Sequence, residues 1–362
     1  MRSCYIHIPF CEKICSYCDF CKLFYNKDIV DKYLVSLENE IKSLYNGEVL
    51  ETIYIGGGTP SSLSLEQLQK LFSIVNLFNR SENVEFTIEC NFSNIDENKL
   101  KLFKKFGVNR LSFGIETINV NHQKLLERYE EKNDIFNKIV LAKDLGFNNI
   151  NVDLMYAFPH ETIEELDEDL KFIKSLDVEH ISCYSLIIEN NTKLGIKKVE
   201  NIDADLDFEM YDYICKFMKN NGFNHYEISN YSKDGYESRH NLVYWNNEFY
   251  YGFGLGASAY FENRRVSNTR SINKYLNGLY LFEEENLKRE DLVYYEILLN
   301  LRKSSGIDLT KLWELYRVRI ECGDIIELGM VEVCNNFLYI PEDKWYISNE
   351  IIIRVLDGVI YE

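Results

Sequence analysis

The stretch Tyr5-Ile-His-Ile-Pro-Phe-Cys11-Glu-Lys-Ile-Cys15-Ser-Tyr-Cys18 decides how this chain is interpreted. Its first half predicts a short strand over residues 4–8, and three cysteines follow in the loop that leaves this strand. Iron–sulfur clusters normally take four cysteines, one for each iron. Three cysteines in the pattern CxxxCxxC therefore indicate a 4Fe-4S cluster in which one iron lacks a protein ligand, and an open position of this kind can bind a substrate or cofactor.

A zinc site is the main alternative for these cysteines, because Cys18 and Cys21 form a CxxC pair. Zinc ribbons and fingers usually combine two short pairs separated by a longer stretch, and no second pair follows here. We therefore favour the iron–sulfur cluster. The remaining cysteines are scattered singly among mostly apolar neighbours, and we interpret each as a small buried hydrophobic residue.

Composition excludes several broad classes of function. The chain has 362 residues, 46% of them hydrophobic, which predicts a globular protein with about two domains. Forty basic against 58 acidic residues give a net charge of -18, which repels nucleic acids. No apolar run is long enough to span a bilayer, and Pro9 and Cys11 come too early for a signal peptide. We expect no transmembrane segment, a cytoplasmic location and reduced cysteines.

Strand-like runs alternate with amphipathic helical stretches over about the first 220 residues. The strands are predicted at residues 4–8, 52–55, 85–90, 110–114, 149–154 and 180–186. The helices are predicted at 28–45, with Asp28 as cap, and from near Ser64, Asp96, Val120, Thr162 and Asp203. This alternation indicates parallel strands joined by right-handed crossovers. Six units are fewer than the eight of a closed barrel, so we expect an α/β fold with a partial (β/α)6 TIM-like barrel.

The rest of the chain has a different character. We assign residues 1–225 to the barrel, and residues 226–268 to an aromatic and glycine-rich segment that completes the core. Residues 269–362 form a mostly helical C-terminal domain in this interpretation. Residues 329–340 and 344–346 predict a small hairpin beside helices, which is typical of a winged-helix-like appendage.

Polar residues recur where successive predicted strands end. Gly56-Gly-Gly-Thr-Pro60 follows the second strand, and Glu89, Glu116 and Asp153 lie at the ends of later ones, as do Tyr184 and Ser185. Because the carboxyl ends of parallel strands form one face, we expect these residues and the cysteines to surround one cavity. A tight strand-to-helix turn explains the glycines equally well, and a single carboxylate is more often a helix cap or a solvated charge.

The later stretch Ser238-Arg-His240-Asn-Leu-Val-Tyr-Trp245 precedes the glycine-rich Tyr251-Gly-Phe-Gly-Leu-Gly-Ala257. Histidine can ligate haem iron, and flanking aromatic rings can pack on a porphyrin. The alternative is an aromatic core corner with a hydrogen-bonded histidine. Taken by themselves, the residues favour this alternative.

Together these motifs resemble the radical S-adenosylmethionine superfamily, and within it the branch that contains oxygen-independent coproporphyrinogen dehydrogenases and the HemW haem chaperones. The resemblance covers nearly the whole chain: residues 5–11, the CxxxCxxC loop and residues 56–60, 110–112, 153–155, 226–230, 238–245 and 347–350. In the dehydrogenases the cysteine loop has the pattern CxxxCxxCxC, whereas this chain has Phe20 at the position of the last cysteine. Phe20 and the HNxxYW pattern are more similar to the chaperones. With this resemblance, haem binding becomes the favoured interpretation of residues 238–245, in place of an aromatic core corner.

The resemblance implies a role for individual residues. The cluster ligands would be Cys11, Cys15 and Cys18. The S-adenosylmethionine cavity would be lined by Tyr5, Gly57, Gly58, Thr59, Glu89, Glu116, Arg128 and Asp153, and haem would be bound through His240, Asn241, Tyr244 and Trp245. Relatives usually have glutamine where Glu116 stands, and residues 158–162 replace a more usual Leu-Pro-Gly-Gln-Thr. Cys21 is given no role.

The implied function is that of a haem chaperone that binds a 4Fe-4S cluster, S-adenosylmethionine and haem, and delivers haem to acceptor haemoproteins. Its other expected partners are a reduced electron donor and a second copy of the chain, with no nucleic acid. The alternatives are an oxygen-independent coproporphyrinogen III dehydrogenase or another radical tetrapyrrole reaction, such as haem breakdown. Whether the protein is an enzyme stays open, because S-adenosylmethionine can be cleaved or only bound.

Overall fold

The computed structural model describes all 362 residues, and its main feature is a nine-stranded sheet. The strands, labelled in chain order, are β1 (Ser3–Ile8), β2 (Phe10–Cys11), β3 (Leu23–Phe24), β4 (Leu50–Gly57), β5 (Arg80–Cys90), β6 (Arg110–Glu116), β7 (Ile150–Tyr156), β8 (His180–Ser185), β9 (Asn224–Glu227), β10 (Asn230–Ser232), β11 (Tyr251–Phe253), β12 (Ser258–Phe261), β13 (Arg264–Asn268), β14 (Leu281–Asn286), β15 (Ile307–Asp308), β16 (Val318–Ile320), β17 (Glu332–Cys334), β18 (Phe337–Tyr339) and β19 (Val359–Tyr361).

The helices connect and cover these strands. In chain order they are α1 (Lys27–Leu44), α2 (Leu65–Val75), α3 (Glu97–Lys105), α4 (Val120–Leu126), α5 (Lys132–Asp144), α6 (Ile163–Ser175), α7 (Lys193–Ile196), α8 (Ala204–Asn220), α9 (Arg239–Trp245), α10 (Ile272–Leu276), α11 (Arg289–Asn300), α12 (Leu309–Tyr316), α13 (Gly323–Glu327) and α14 (Ser348–Asp357). Short 3-10 helices lie at Pro60–Ser62, Phe92–Asn94 and Glu342–Ile347. None of the helices combines the length and the apolar character needed to cross a bilayer.

The six predicted strands form the centre of the large sheet. Its spatial order is β11-β1-β4-β5-β6-β7-β8-β10-β9, and β1, β4, β5, β6, β7 and β8 pair in parallel in chain order. The α/β fold with a partial barrel is therefore confirmed. At the two edges the sheet continues through β11, which is parallel to β1, and through β10 and β9, which are antiparallel.

Side-chain capping explains where the barrel helices begin. Ser64, Asp96, Thr162 and Asp203 each accept a backbone hydrogen bond at the start of their helix, as their types predict. The predicted cap of α1 was wrong. Asn26 accepts from the amide of Ile29 at 3.1 Å, and Asp28 lies inside the first turn, where its charge favours the positive end of the helix dipole.

Two hydrophobic cores lie in different parts of the chain. The larger contains 56 buried residues and packs the barrel helices against the outer face of the sheet. A second core of 15 buried residues, between Val293 and Val355, belongs to the C-terminal elements. There β17 and β18 form the predicted hairpin. Residues 344–346 were wrongly included in it, because they lie in the 3-10 helix Glu342–Ile347.

Candidate functional site

A cavity of about 400 Å³ opens at the carboxyl ends of the parallel strands. Its lining brings together ten of the residues predicted for the cluster and S-adenosylmethionine: Cys11, Cys15, Cys18, Gly57, Gly58, Thr59, Glu89, Glu116, Arg128 and Asp153. Tyr184 and Ser185 also line it, as their place after the sixth strand predicts. Tyr5 does not belong to this lining. Its hydroxyl donates to Nδ1 of His7 at 2.9 Å, and its ring packs against Tyr54, which does line the cavity.

The cysteine loop is held at its base by a short parallel pairing of β2 with β3. The amide of Tyr25 donates to the carbonyl of Cys11 at 2.8 Å. In the middle of the loop, Ser16 is buried and tied to α4, since its amide donates to the carbonyl of Leu126 at 3.0 Å and its hydroxyl to that of Leu125 at 2.6 Å. The thiols of Cys11, Cys15 and Cys18 are thus carried by a loop with a fixed base and a fixed centre.

The thiols differ in their surroundings. Burial raises the pKa of Cys11 to about 11, and the neighbouring thiols of Cys18 and Cys15 add to this, while the Thr59 hydroxyl donates to the sulfur at 3.5 Å. Burial also raises the pKa of Cys18. Because iron is bound by the thiolate, cluster binding would release protons here. Cys21 lies outside the cavity lining, and its carbonyl accepts from Nε2 of His7 at 2.7 Å.

The glycines after β4 allow close approach of this strand end to the cysteine loop. A Cβ on Gly58 would lie 2.9 Å from the sulfur of Cys11, and one on Gly56 would lie 2.7 Å from a carboxylate oxygen of Glu89. Gly57 adopts φ +116°, where glycine is favoured. The amide of Gly57 donates to Glu89 at 2.9 Å. The glycines therefore form a tight turn and also keep the cavity open.

Three of the carboxyl groups that line the cavity were predicted from the sequence. Glu89 accepts from the hydroxyl of Tyr54 at 2.8 Å, and burial raises its pKa to about 7. Burial likewise raises the pKa of Glu116 to about 7, although the nearby charge of Arg128, 3.6 Å away, opposes this rise. Burial also raises the pKa of Asp153. Burial penalises the ionised form of these carboxyl groups, and the protein's own cations and hydrogen bonds offset this penalty only in part. Such carboxylates stabilise a cationic ligand. The ammonium and sulfonium groups of S-adenosylmethionine fit this requirement.

The histidine of the HNLVYW stretch is buried and fully hydrogen-bonded. Nδ1 of His240 lies 2.7 Å from the Thr52 hydroxyl, and Nε2 lies 2.8 Å from the Tyr244 hydroxyl. The imidazole stacks on Tyr54 with ring centroids 5.2 Å apart. Burial lowers its pKa to about 3, which keeps the ring neutral. Neither ring nitrogen is free to bind iron in this conformation.

The other residues of this stretch have separate surroundings. Asn241 lines the cavity, so one residue of the stretch faces the same space as the cysteines. Tyr244 contacts Tyr250 edge to face, with ring centroids 4.7 Å apart. Trp245 is half-buried and lies near the buried Glu227. The four predicted haem residues therefore do not line one common surface.

The sequence reasoning missed the polar side chains lower in the barrel. The cavity is also lined by Tyr54, Arg110, Ser112, Asn151 and Ser182. All five are found on the central parallel strands, at positions that alternate with apolar residues of the outer core, such as Leu111, Phe113 and Val152. This alternation within otherwise apolar strands is the signal that could have identified them.

Comparison with known proteins assigns the family. Residues 5–173 match the radical SAM superfamily. The chain is 37% identical to the haem chaperone HemW of Bacillus subtilis, over 97% of this chain and 98% of the relative. The chain belongs to the HemW family of radical SAM proteins. HemW of Escherichia coli is 30% identical over 96% of this chain and 94% of its own. The predicted family is thereby confirmed.

A solved structure supports the fold independently of close sequence similarity. Coproporphyrinogen III oxidase (HemN) from Escherichia coli, described as a radical SAM enzyme, superposes with a TM-score of 0.86. The match covers 98% of this chain and 90% of that chain at 20% sequence identity. The HemW-family chain and HemN thus share their fold.

Proposed function

We propose that this protein is a haem chaperone that binds a 4Fe-4S cluster, S-adenosylmethionine and haem, and passes haem to acceptor haemoproteins. The observation that carries the proposal is the similarity, over nearly the full length of both chains, to relatives named haem chaperone HemW. The cavity supports it, because the three predicted cluster cysteines and the three predicted carboxyl groups face one space.

In this proposal Cys11, Cys15 and Cys18 hold the cluster. When bound, the cluster supplies an iron with an open coordination position and, once reduced by a donor, an electron for cleaving a sulfonium. The protein contributes binding and orientation. Glu89 and Asp153 stabilise the cationic groups of S-adenosylmethionine, and the narrow turn at Gly57 and Gly58 leaves room for it beside Cys11.

We propose His240 as the axial ligand of haem. In the structure its imidazole is not free, so binding requires a local change. The ring must first give up its contact with Tyr244 or Thr52, because both nitrogens are occupied. Removing the Tyr244 hydroxyl would free Nε2. Tyr244→Phe should therefore strengthen haem binding by about 5-fold, the equivalent of one hydrogen bond of roughly 1 kcal/mol.

Haem titration monitored by the Soret band tests this, with the cluster reconstituted anaerobically. Tyr250→Phe is the matched control, since Tyr250 contacts the Tyr244 ring but not the imidazole. The proposal predicts weaker binding for His240→Ala, stronger binding for Tyr244→Phe and no change for the control. Haem binding that is unaffected by His240→Ala would overturn the assignment of the ligand.

Transfer is tested separately by mixing the haem-loaded protein with an acceptor apo-haemoprotein and following the acceptor's own spectrum. Transfer faster than from haem-loaded serum albumin supports a chaperone. Decarboxylation of coproporphyrinogen III with a reductant and S-adenosylmethionine would instead favour a dehydrogenase. Phe20, in place of the cysteine of the dehydrogenase pattern, argues against that outcome.

A further inference from the structure

Arg110 is a buried cation without a partner on the floor of the cavity. It begins β6, and its side chain is only 1% exposed. Its Nε is buried without an acceptor, and the guanidinium group forms no ion pair and donates no hydrogen bond within the chain. Arg128 also has a buried Nε without an acceptor, but its other nitrogens have partners: it lies 3.6 Å from Glu116 and donates to Asn91 and to the carbonyl of Gly114.

The polar groups around Arg110 are already committed to one another. The amide nitrogen of Asn151 donates to Ser112 and Asp153, both at 2.8 Å, and its oxygen accepts from His180 and Ser182. Because that oxygen can only accept, Nδ1 of His180 carries a proton. Burial, and then the charge of Arg110, lower the pKa of His180, so the ring is neutral. The charge of Arg110 acts on Glu89 and Asp153, where it partly offsets their raised pKa, but neither carboxyl group forms an ion pair with the guanidinium group.

These two carboxyl groups are hydrogen-bonded elsewhere. Glu89 accepts from Tyr54 and from the amide of Gly57, and Asp153 accepts from Asn151. A buried guanidinium group without a partner is strongly destabilising, and a ligand that supplies an anion would remove this cost. The planar fork of arginine is suited to a carboxylate, which it can bind through two parallel hydrogen bonds.

We propose that Arg110 binds a carboxylate of the ligand that enters the cavity below S-adenosylmethionine, and that this carboxylate is a propionate of the tetrapyrrole. This inference rests on the proposed function, which supplies a haem with two propionates. The position of Arg110 supports it. Arg110 lines the same cavity as Asn241, the residue that follows the proposed axial ligand His240. The cysteines lie at the opposite, outer end of the strands.

The ligand itself offers a test that needs no variant. Haem dimethyl ester keeps the iron and the macrocycle but lacks both anionic carboxylates. The parent protein should bind it about 10- to 100-fold more weakly than haem, the range expected for loss of a charge-assisted hydrogen bond. Equal affinity for the two ligands would overturn the inference while leaving haem binding, and so the proposed function, intact.

Variants then assign the effect to Arg110. Arg110→Met should bind haem and its dimethyl ester with equal, weak affinity, whereas Arg110→Lys should keep part of the preference. Arg239→Met is the matched control, because Arg239 is exposed and adjacent to His240. The control should keep the full preference for haem.

A purely structural role for Arg110 makes the opposite prediction about stability. If Arg110 serves only to hold the barrel together, Arg110→Met should lower the melting temperature of the ligand-free protein. The inference predicts an unchanged or higher melting temperature, since an unpaired buried charge is removed.

Weaker binding of S-adenosylmethionine by Arg110→Met, with haem binding unaffected, would assign the site to the carboxylate of that cofactor and overturn the inference. Failure of the parent protein to bind haem would overturn the proposed function and this inference with it.

Discussion

Two regions of the molecule carry sequence patterns typical of ligand binding, and they differ in whether their polar atoms are free. The cysteine rim, consisting of Cys11, Cys15 and Cys18, faces the cavity with its thiols. The histidine corner, consisting of His240 with Thr52, Tyr54 and Tyr244, is closed, because both imidazole nitrogens are hydrogen-bonded and the ring is stacked. The rim is therefore ready for a ligand, whereas the corner must open before it can bind one.

The largest expected effect of a substitution is loss of the cluster from the cysteine rim. Cys15→Ala is expected to abolish the cluster, because a 4Fe-4S centre on two cysteines lacks the ligands it requires. Iron content and visible absorption after anaerobic reconstitution measure this. Cys21→Ala is the control and should retain the cluster, since Cys21 lies outside the cavity lining. A cluster that survives in Cys15→Ala would contradict the assignment.

In the histidine corner the expected effect is on stability. His240→Ala should lower the free energy of unfolding by roughly 4 kcal/mol, because it leaves a cavity and two buried hydroxyl groups without their partner. Urea denaturation of the ligand-free protein measures this. The exposed His160 provides the control variant His160→Asn, which should change stability little. A corner that tolerates His240→Ala without loss would not be the closed structure described.

The carboxyl groups at the rim should make stability depend on pH. The pKa of Glu89 is raised to about 7, above the ordinary 4.5, so burial penalises its ionised form. This penalty is absent below about pH 4.5 and complete above about pH 7. Relative to the parent, ligand-free Glu89→Gln should gain up to about 3 kcal/mol of stability between pH 5 and pH 8. A stability difference that is constant over this range would show that Glu89 titrates normally.

The smallest expected effect concerns a single hydroxyl of the corner. Thr52→Val keeps the shape of the side chain but leaves Nδ1 of His240 without its partner at 2.7 Å. The loss in unfolding free energy should be about 1 to 2 kcal/mol. Thr87→Val is a useful comparison, because the buried hydroxyl of Thr87 has no hydrogen-bond partner. Equal losses for the two variants would mean that the contact to His240 contributes nothing specific.

Local signals predicted most of the barrel. Each central strand is a run of apolar and alternating residues, and the residues that cap α2, α3, α6 and α8 could be read from their types. The cap of α1 was misassigned because Asn26 and Asp28 are both good candidates two residues apart. The edge strand β11 was missed, since three residues of an aromatic loop become a strand only when β1 lies beside them.

The candidate site was predictable to the extent that chain order determines it. Strand ends of a parallel sheet must share one face, so the rim follows from the alternation of strands and helices. The state of His240 does not follow, because its partner Thr52 is 188 residues away in the chain and meets it only through packing. For the same reason the unpartnered Arg110 could not be recognised, since pairing depends on every neighbour that the fold supplies.

The central claim is that three cysteines, and not four, hold a cluster whose remaining iron is open to S-adenosylmethionine. Electron paramagnetic resonance of the reduced, reconstituted Cys21→Ala protein, recorded with and without S-adenosylmethionine, tests it most directly. The account predicts that the cluster forms in this variant and that its spectrum changes when S-adenosylmethionine is added. A cluster that is lost with Cys21, or a spectrum that S-adenosylmethionine leaves unchanged, would contradict it.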